Sequence, residues 1–340
     1  MAIPISVVGL GRRGRQWVHA VRSTSTYELV ACVDASAETL REAATALRIP
    51  AHQCYLRLED ALDEARPQAV IVATSIDRHV DPCQAALERG LGVLVEKPFA
   101  LSLREARRLV ATAEQAKAPL LVGQNYRYTR MPQAVRRLLG DGVLGRIGMV
   151  TCQSYRGALD SRSPSLSTIP NSVLWEIGVH HIDALRYMLG QEVIAVMTQS
   201  FTLPWSPVPP GASVQVLFTF EGGTRASYSA TYDSRGHEFF EQGNQFLLRV
   251  VGERGTLHVW QRWIVLCEHG KYPRLVRRGP RPQSEEVVLL RQLERTLVAG
   301  EEPECSGRNN LNTIAVLEAC VRSLAGKRWV TPQELFYEPI

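Results

Sequence analysis

ISVVGLGRRG, the segment at residues 5–14, decides the fold of the first part of this chain. The residues before the glycines are typical of a buried strand, and residues 15–21 can form a helix. A G-x-G-x-x-G pattern alone is weak, but a strand before it and a helix after it make it a dinucleotide-binding fingerprint. Such glycines permit a tight turn and close approach to a pyrophosphate, to which the helix start offers N–H donors. We therefore predict a Rossmann domain with phosphate-binding residues Gly9, Leu10, Gly11, Arg12, Arg13 and Gly14.

A second strand at residues 28–33 ends in Asp34. It lies about 20 residues beyond the glycines, where an acid usually binds the adenosine ribose. An acid here repels a 2′-phosphate and so favours NAD over NADP. Ser36, with Arg12 and Arg13, offers the opposite chemistry, because these side chains can surround a 2′-phosphate. The predicted cofactor is therefore NAD, with NADP possible.

Strands and helices continue to alternate up to residue 124. The strand segments are residues 69–74, 93–95 and 120–122, and the helical segments between them are residues 83–89 and 103–115. This order predicts parallel strands joined by right-handed crossovers. The first domain is predicted to cover residues 1–124.

Two loops of this domain should border the cofactor, because ligands of open α/β sheets bind beyond the carboxyl ends of the strands. Thr74 and His79 lie after one strand and are predicted to contact the cofactor. His79 fits a hydrogen-bonding role better than catalysis. Glu96 and Lys97 follow the next strand, and Pro98 fixes the backbone there. Lys97 is predicted to face the bound ligand, with Glu96 beside it.

The second half of the chain has a different pattern, with consecutive strands separated by Gly/Pro turns. The strand-like segments are residues 147–156, 193–203, 214–221, 224–232, 246–251 and 255–259. Strands without intervening helices predict a mostly antiparallel sheet in an α+β domain of residues 125–340. Because large apolar faces seldom stay exposed, this sheet is expected to form a homodimer or homotetramer.

One helix, predicted at residues 174–189, interrupts these strands and carries two stripes at helical spacing. The apolar stripe, which we expect to pack on the sheet, is Leu174, Ile177, His181, Leu185 and Met188. The opposite, titratable stripe is Glu176, His180, Asp183 and Tyr187. It fits either a solvated surface or a proton-transfer site, since acids one turn from a histidine fix its tautomer and tune its pKa. No His-Glu-x-x-His pattern is present, so no metal is expected.

Composition bounds the remaining possibilities. A chain of 340 residues exceeds the usual size of one core, which predicts two domains. The net charge of +5 comes with dispersed arginines, so no nucleic-acid partner is expected. Seven scattered cysteines without a Cys-x-x-Cys pair indicate reduced thiols and a cytoplasmic protein. The start resembles no leader, and no run is long enough for a membrane span.

The ordered motifs resemble the Gfo/Idh/MocA oxidoreductases from end to end. They are GLGRRG (9–14), EKPFA (96–100), QNYRY (124–128), GVLGRIG (142–148), EIGVHHID (176–183), GERGTL (252–257) and a closing helix at 311–325 that could pack on the first domain. The resemblance implies NAD(P)-dependent hydride transfer between the nicotinamide and a secondary alcohol or ketone of a sugar, inositol or related polyol. By resemblance Lys97 is the catalytic lysine and His180 the acid/base. Glu176 stands where many members have aspartate, so its role is substrate contact or orientation of Lys97 or His180.

The candidate substrate residues are Tyr126, Arg127, Tyr155, Arg156, Trp175 and Asp183. For the aromatic residues, ordinary packing is at least as good an explanation as substrate contact. Two other functions stay open. They are an NAD-dependent glycoside hydrolase that uses transient oxidation, and a non-catalytic sugar or dinucleotide sensor. The sequence selects neither the sugar nor the direction of the reaction.

Overall fold

The computed structural model describes residues 2–157, 169–206, 211–234, 247–260, 263–279 and 283–339. The chain divides into two compact units. The first contains Met1–Asn125, Gln283–Leu311 and Pro339–Ile340, and the second contains Tyr126–Pro282 and Asn312–Glu338.

The first unit contains a parallel sheet with helices between its strands. The strands are β1 (Ile3–Val8), β2 (Tyr27–Val33), β3 (Cys54–Tyr55), β4 (Ala69–Val72), β5 (Gly92–Val95) and β6 (Leu120–Val122). The helices are α1 (Arg12–Arg22), α2 (Ala37–Leu47), α3 (Leu58–Ala65), α4 (Val80–Glu88) and α5 (Leu103–Ala116). The strand order is β3-β2-β1-β4-β5-β6, so the predicted Rossmann fold is confirmed. The order reverses between β1 and β4, which brings the loops after these two strands together at the carboxyl edge.

A late helix, α8 (Glu285–Ala299), also belongs to the first unit. The sequence-based division placed all of residues 125–340 in the second domain, and for residues 283–311 the structure differs. The physical reason is burial of the apolar side of α8, which includes Leu289 and Leu293. The hydroxyl of Tyr27 on β2 donates a 2.7 Å hydrogen bond to a carbonyl of α8.

The second unit contains a larger, mixed sheet. In chain order its elements are α6 (Arg130–Gly140), β7 (Ile147–Gly157), α7 (Val179–Leu189), β8 (Val193–Phe201), β9 (Ser213–Phe220), β10 (Arg225–Ser234), β11 (Leu247–Gly252), β12 (Gly255–Trp260), β13 (Trp263–Glu268), β14 (Arg274–Leu275) and α9 (Gly307–Gly326). The strand order is β14-β13-β12-β11-β7-β10-β9-β8. Neighbouring strands are antiparallel except β7 and β10, which are parallel. The predicted, mostly antiparallel sheet is confirmed.

Helix α9 includes the predicted closing helix. Its residues from Asn312 onward belong to the second unit, and only its first turns, up to Leu311, belong to the first. Within the second unit, the hydroxyl of Ser323 accepts a 3.0 Å hydrogen bond from the backbone N–H of Thr198 on β8. Most of this helix is therefore part of the second unit.

The predicted helix at residues 174–189 is not a regular α-helix. Leu174–Gly178 form a π-helical turn, and α7 begins only at Val179. A π turn is wider than an α turn, so the stripes drawn at α-helical spacing do not hold across it. Residues 179–188 are all buried, including Asp183 and Tyr187 of the stripe that was expected to face away from the sheet. The interpretation of the titratable stripe as a solvated surface is therefore wrong for the residues on α7.

The sheet of the second unit has one buried and one exposed face. Large apolar side chains on the exposed face include Met149, Leu217, Trp260 and Trp263, each about half exposed or more. Side chains alternate along a strand, so these residues point away from the side on which α7 packs.

Among the described residues, no helix has both the length and the apolar character that a membrane span requires.

Candidate active site

The glycine turn after β1 combines two glycines required by packing with a third that packing does not explain. Gly9 has φ of +87°, and a Cβ there would lie 2.6 Å from the backbone nitrogen of Thr74. A Cβ on Gly14 would lie 1.7 Å from the carbonyl oxygen of Gly9. A Cβ on Gly11 would meet nothing within 4 Å in the described part of the chain. Gly11 thus leaves open space at the start of α1, where N–H groups without helical acceptors can bind a phosphate.

Asp34 is held rigidly beside this turn. Its Oδ2 accepts a 2.7 Å hydrogen bond from the N–H of Leu10, and its Oδ1 accepts a 2.9 Å bond from the N–H of Ser36. The hydroxyl of Ser36 caps α2 by accepting from Thr39 N–H at 3.2 Å. The half-buried carboxylate therefore has a fixed orientation at the end of β2, which fits the ribose of a dinucleotide. Leu10 supports Asp34 through its amide, and its side chain is fully buried, so a direct cofactor contact by Leu10 is not supported.

Arg13 was predicted to bind phosphate, but in the structure its guanidinium forms ion pairs with two carboxylates. Its Nε and Nη2 lie 2.8 Å and 2.6 Å from Oε1 of Glu96, and its Nη1 lies 3.0 Å from Oε1 of Glu286. Burial disfavours the charge of Arg13, but these two carboxylates outweigh it and raise the pKa of Arg13. Arg12, by contrast, is exposed at the first position of α1. Arg13 therefore serves as a link between the glycine turn and Glu96, and Arg12 is better placed to meet an anion.

Glu96 is buried and lies at the centre of this network. Besides Arg13, the indole Nε1 of Trp17 donates to its Oε1 at 2.8 Å. Burial by itself raises the pKa of Glu96, but the charges of Arg13 and Lys97, with the hydrogen bonds from Arg13 and Trp17, hold the pKa below its usual value. Glu96 was predicted to bind cofactor, and its contacts show that it joins α1 to the turn carrying Lys97.

The pH dependence of the free energy of unfolding should show the contribution of the Glu96 carboxylate. Because its pKa is lower in the folded protein, ionised Glu96 stabilises the fold above the ordinary glutamate pKa, and this stabilisation is lost as the pH falls through the folded value. At neutral pH, Glu96→Gln should lower the free energy of unfolding by about 1–3 kcal/mol, because Arg13 loses its main charged partner. As the pH falls from the ordinary glutamate pKa through the lower folded value, the variant and the unmodified protein should converge. Urea titrations at several pH values measure this.

The control for this experiment is Glu286→Gln, which removes the other carboxylate of Arg13 and leaves Glu96 in place. We expect a smaller loss at neutral pH. Equal pH dependence for Glu96→Gln and the unmodified protein would contradict the assignment.

Lys97 follows β5 and is half-buried, and the Lys97–Pro98 peptide bond is cis. The adjoining carbonyl of Pro98 is 2.8 Å from Nδ1 of His79, whose Nε2 is 3.2 Å from the carbonyl of Thr74. Burial lowers the pKa of His79, which favours the neutral ring with one N–H to donate. His79 thus ties the loop after β4 to the lysine turn, which confirms its predicted hydrogen-bonding role. Thr74 donates its hydroxyl to the carbonyl of Arg78 at 2.9 Å, and its contact with a cofactor stays a prediction.

In the second unit, His180 lies at the start of α7 against an aromatic ring. Its imidazole stacks on the phenol of Tyr126, with ring centroids 3.9 Å apart and planes 12° from parallel. Nη2 of Arg156 donates to the Tyr126 hydroxyl at 3.4 Å. His181 is fully buried, with Nδ1 2.9 Å from the hydroxyl of Tyr228 on β10, so its predicted core position is confirmed.

Glu176 lies in the π-helical turn and is half-buried. Burial raises the pKa of Tyr232 on β10, and the negative charge of Glu176 raises it further. Trp175, in the same turn, is buried. The substrate role of Trp175 stays a prediction.

Arg127 and Asp183, both predicted to contact substrate, form a buried ion pair with each other. Nε and Nη2 of Arg127 each donate a 2.6 Å hydrogen bond to one carboxylate oxygen of Asp183. Thr313 on α9 donates to Asp183 Oδ1 at 3.1 Å. Arg127 is 4% exposed and Asp183 1% exposed, so solvent or ligand has little access to either. Both side chains therefore have a structural role in this pair, and their contact with substrate stays a prediction.

Tyr155 is also placed differently from its prediction. It is 45% exposed, whereas its neighbours Ser154 and Arg156 are buried and half-buried. Because alternate residues of a strand face opposite sides, Tyr155 lies on the outer face of the sheet, away from Tyr126 and His180. Of Tyr155 and Arg156, only Arg156 belongs to the cluster around His180, through its contact with Tyr126.

Two residues of β10 that were not predicted, Tyr228 and Tyr232, also line this cluster. Both are buried on the inner face of the sheet. Their spacing of four along an alternating strand was a usable signal, because it puts both side chains on one face.

Comparison with known proteins agrees with this geometry. A family model described as "Oxidoreductase family, NAD-binding Rossmann fold" matches residues 3–124, and one described as "GFO/IDH/MocA C-terminal domain" matches residues 133–258. An oxidoreductase from Agrobacterium radiobacter, solved in complex with NAD+, L-tartaric acid and magnesium, has the same fold with a TM-score of 0.89. It is 21% identical and covers 98% of this chain and 100% of that one. The class of the protein is thus an NAD-binding oxidoreductase.

Two curated relatives make the assignment more specific. D-apiose dehydrogenase of Paraburkholderia graminis is 30% identical over 347 residues, covering 97% of this chain and 90% of that protein. Inositol 2-dehydrogenase of Rhizobium meliloti is 27% identical, covering 97% of this chain and 99% of that protein. The chain belongs to the Gfo/Idh/MocA family and is a dehydrogenase that acts on CH–OH donors.

Proposed function

We propose that this protein transfers a hydride between NAD and a secondary alcohol or ketone of a sugar, inositol or related polyol. The observation that carries the proposal is the lysine turn. Lys97 is half-buried at the carboxyl end of β5, in a domain of NAD-binding type, and buried Glu96 and His79 hold its turn. The substrate class is supported by the relatives named D-apiose dehydrogenase and inositol 2-dehydrogenase.

The chemistry requires a hydride acceptor and a base. NAD, held by the glycine turn and by Asp34, supplies the acceptor when bound. His180 accepts the proton of the substrate hydroxyl, since an imidazole takes up a proton near neutral pH. The ammonium group of Lys97 stabilises the negative charge that develops on the substrate oxygen. Glu176 orients the base or contacts a neighbouring hydroxyl.

A cofactor-by-substrate panel tests the class of reaction. NAD and NADP are each combined with inositols, aldoses and keto sugars, in both directions, and the absorbance of reduced nicotinamide is followed. We expect turnover with at least one polyol or sugar. If no member of the panel reacts, the proposal fails. Release of the aryl group from an aryl glycoside without net reduction of NAD would instead indicate the hydrolase.

We further propose that NAD is preferred over NADP. Asp34 cannot easily turn away from a 2′-phosphate, because two backbone N–H groups fix its carboxylate. Arg13 cannot neutralise that phosphate without leaving Glu96.

Replacing Asp34 should therefore change the preference. Asp34→Ser should lower the ratio of kcat/KM for NAD over NADP about 10- to 100-fold, which corresponds to about one charged hydrogen bond to the ribose. Glu38→Gln, an exposed acid in the first turn of α2, is the matched control and should leave the ratio unchanged. An unmodified protein that uses both cofactors equally would contradict the role of Asp34.

The oligomeric state is also a proposal. The exposed face of the second-unit sheet carries Met149, Leu217 and the neighbouring pair Trp260 and Trp263. Such a face is stabilised by burial against a second copy of the chain, giving a homodimer or homotetramer. Sedimentation at about micromolar concentration tests this, and a monomer would contradict it.

A further inference from the structure

The ring of His180 has a second buried ring directly against it. Tyr126 and His180 are 4% and 6% exposed, and their nearly parallel rings are 3.9 Å apart between centroids. An imidazole stacked in this way keeps its plane, because turning about its side-chain bond would drive it into the phenol. The stack thus fixes the plane in which the ring nitrogens lie.

The backbone that carries Tyr126 is itself fixed to α7. The next residue, Arg127, makes its two 2.6 Å hydrogen bonds to Asp183, one helical turn beyond His180. The carbonyl of Arg127 accepts a 2.9 Å bond from Gln133. Two successive residues of the segment Asn125–Tyr128 therefore contact two positions on one side of α7. This double connection holds the phenol in register with the imidazole.

We propose that Tyr126 is a positioning residue for the proton acceptor His180, fixing its ring plane and stabilising its protonated form. The inference rests on the proposed function, in which His180 accepts the substrate proton. Protonation places a positive charge against the face of an aromatic ring, which attracts cations within about 6 Å of its centre. The stack therefore favours the imidazolium that forms in the reaction.

Other charged and titratable groups around His180 must be considered with the stack. On its own helix these are His181 and Asp183, and in the preceding π-helical turn Glu176. From other elements they are Arg127 next to Tyr126, Arg156 on β7, and Tyr228 and Tyr232 on β10. Substitution of Tyr126 changes none of these residues. Tyr126→Leu removes both the aromatic face and the hydroxyl that accepts from Arg156, whereas Tyr126→Phe removes only the hydroxyl, so comparison of the two variants isolates the aromatic face.

The primary test is a titration of His180 that requires no substrate. Histidine is labelled with 13C at Cε1, and the His180 signal is assigned by its loss in His180→Gln. We expect Tyr126→Leu to lower the pKa of His180 by about half a unit to one and a half units, the range that cation–π contacts supply between exposed and buried sites. Tyr126→Phe keeps the ring and should titrate like the unmodified protein. An unchanged titration in Tyr126→Leu would overturn the proposal.

Tyr128 is the matched control, because it is an equally buried tyrosine of the same segment. Tyr128→Leu should lower the thermal unfolding midpoint by a similar amount and leave the titration of His180 unchanged. If Tyr126→Leu does not fold, Tyr126→Met is a second variant with a flexible apolar side chain. A shift of equal size in Tyr128→Leu would show that the effect comes from packing alone, and would also overturn the proposal.

Kinetics with myo-inositol and NAD, or with whichever polyol reacts in the panel, gives a second measurement. Tyr126→Leu should lower kcat about 10-fold with little change in KM, because the misoriented base affects the chemical step. Its acid limb should move to lower pH, and Tyr126→Phe should restore both properties. If His180→Gln retains full turnover, the proposed function fails. If His180→Gln is inactive while Tyr126→Leu behaves like the unmodified protein, only this inference fails.

Discussion

Replacement of Lys97 by methionine should lower kcat by about 10²- to 10⁴-fold, the contribution of one charge or acid/base group to such a reaction. Methionine is similar in length to lysine but has no charge, so negative charge on the substrate oxygen loses its stabilising partner. NAD should still bind, because the glycine turn and Asp34 do not depend on this side chain. Steady-state kinetics and calorimetric titration of NAD measure the two effects separately.

Two controls define the role of Lys97 more closely. Lys97→Arg keeps the positive charge and should retain more activity than the methionine variant, although the larger guanidinium is placed differently. Lys117→Met removes an exposed lysine at the end of α5 and should have no effect on turnover. Undiminished turnover in Lys97→Met would exclude Lys97 from the reaction.

The second large effect is expected on stability. Asp183→Asn should lower the free energy of unfolding by about 3–5 kcal/mol, because it leaves the buried charge of Arg127 without its carboxylate. The double replacement Arg127→Met with Asp183→Leu should recover part of this loss, since neither charge of the pair remains and Arg186, which lies 3.6 Å from Asp183, keeps Glu192 as its partner. Urea denaturation followed by circular dichroism gives both values.

The matched control for this pair is an ion pair at the surface. Arg146 and Glu253 lie 3.3 Å apart and are largely exposed. Solvent screens such pairs, so Glu253→Gln should leave the urea midpoint unchanged. If Asp183→Asn is as stable as the unmodified protein, the pair does not have the structural role assigned to it. The predicted contact of Asp183 with substrate would then need a direct binding test.

The Rossmann half was predictable because its signals are local. The strand, the glycine turn and the helix are adjacent in sequence. The three glycines serve the tight turn, the close approach of the pyrophosphate and the packing of the helix on the strand. The position of Lys97 followed from the same rule, since loops after parallel strands meet at one edge. Helix α8 was assigned to the wrong domain because its apolar side, with Leu289 and Leu293, shows that it is buried but not which sheet covers it.

The second half was predicted less completely, because its decisive contacts are distant in sequence. Arg127 and Asp183 are 56 residues apart, and as separate residues they had the chemistry of substrate ligands. The π turn before α7 escaped prediction because it differs from an α turn by one residue in its hydrogen bonding, a difference that packing decides.

The sequence by itself determined the class of fold, the dinucleotide turn, the acid at the end of β2 and the pairing of Lys97 with a cofactor domain, because alternation and glycine spacing are local properties of the chain. The tertiary structure decided which polar residues are structural. In the folded chain Arg13 forms an ion pair with Glu96. Arg127 pairs with Asp183, and Tyr126 stacks on His180. The physical reason is that a charge taken out of water must find a partner, and only the folded chain determines which distant residue that partner is.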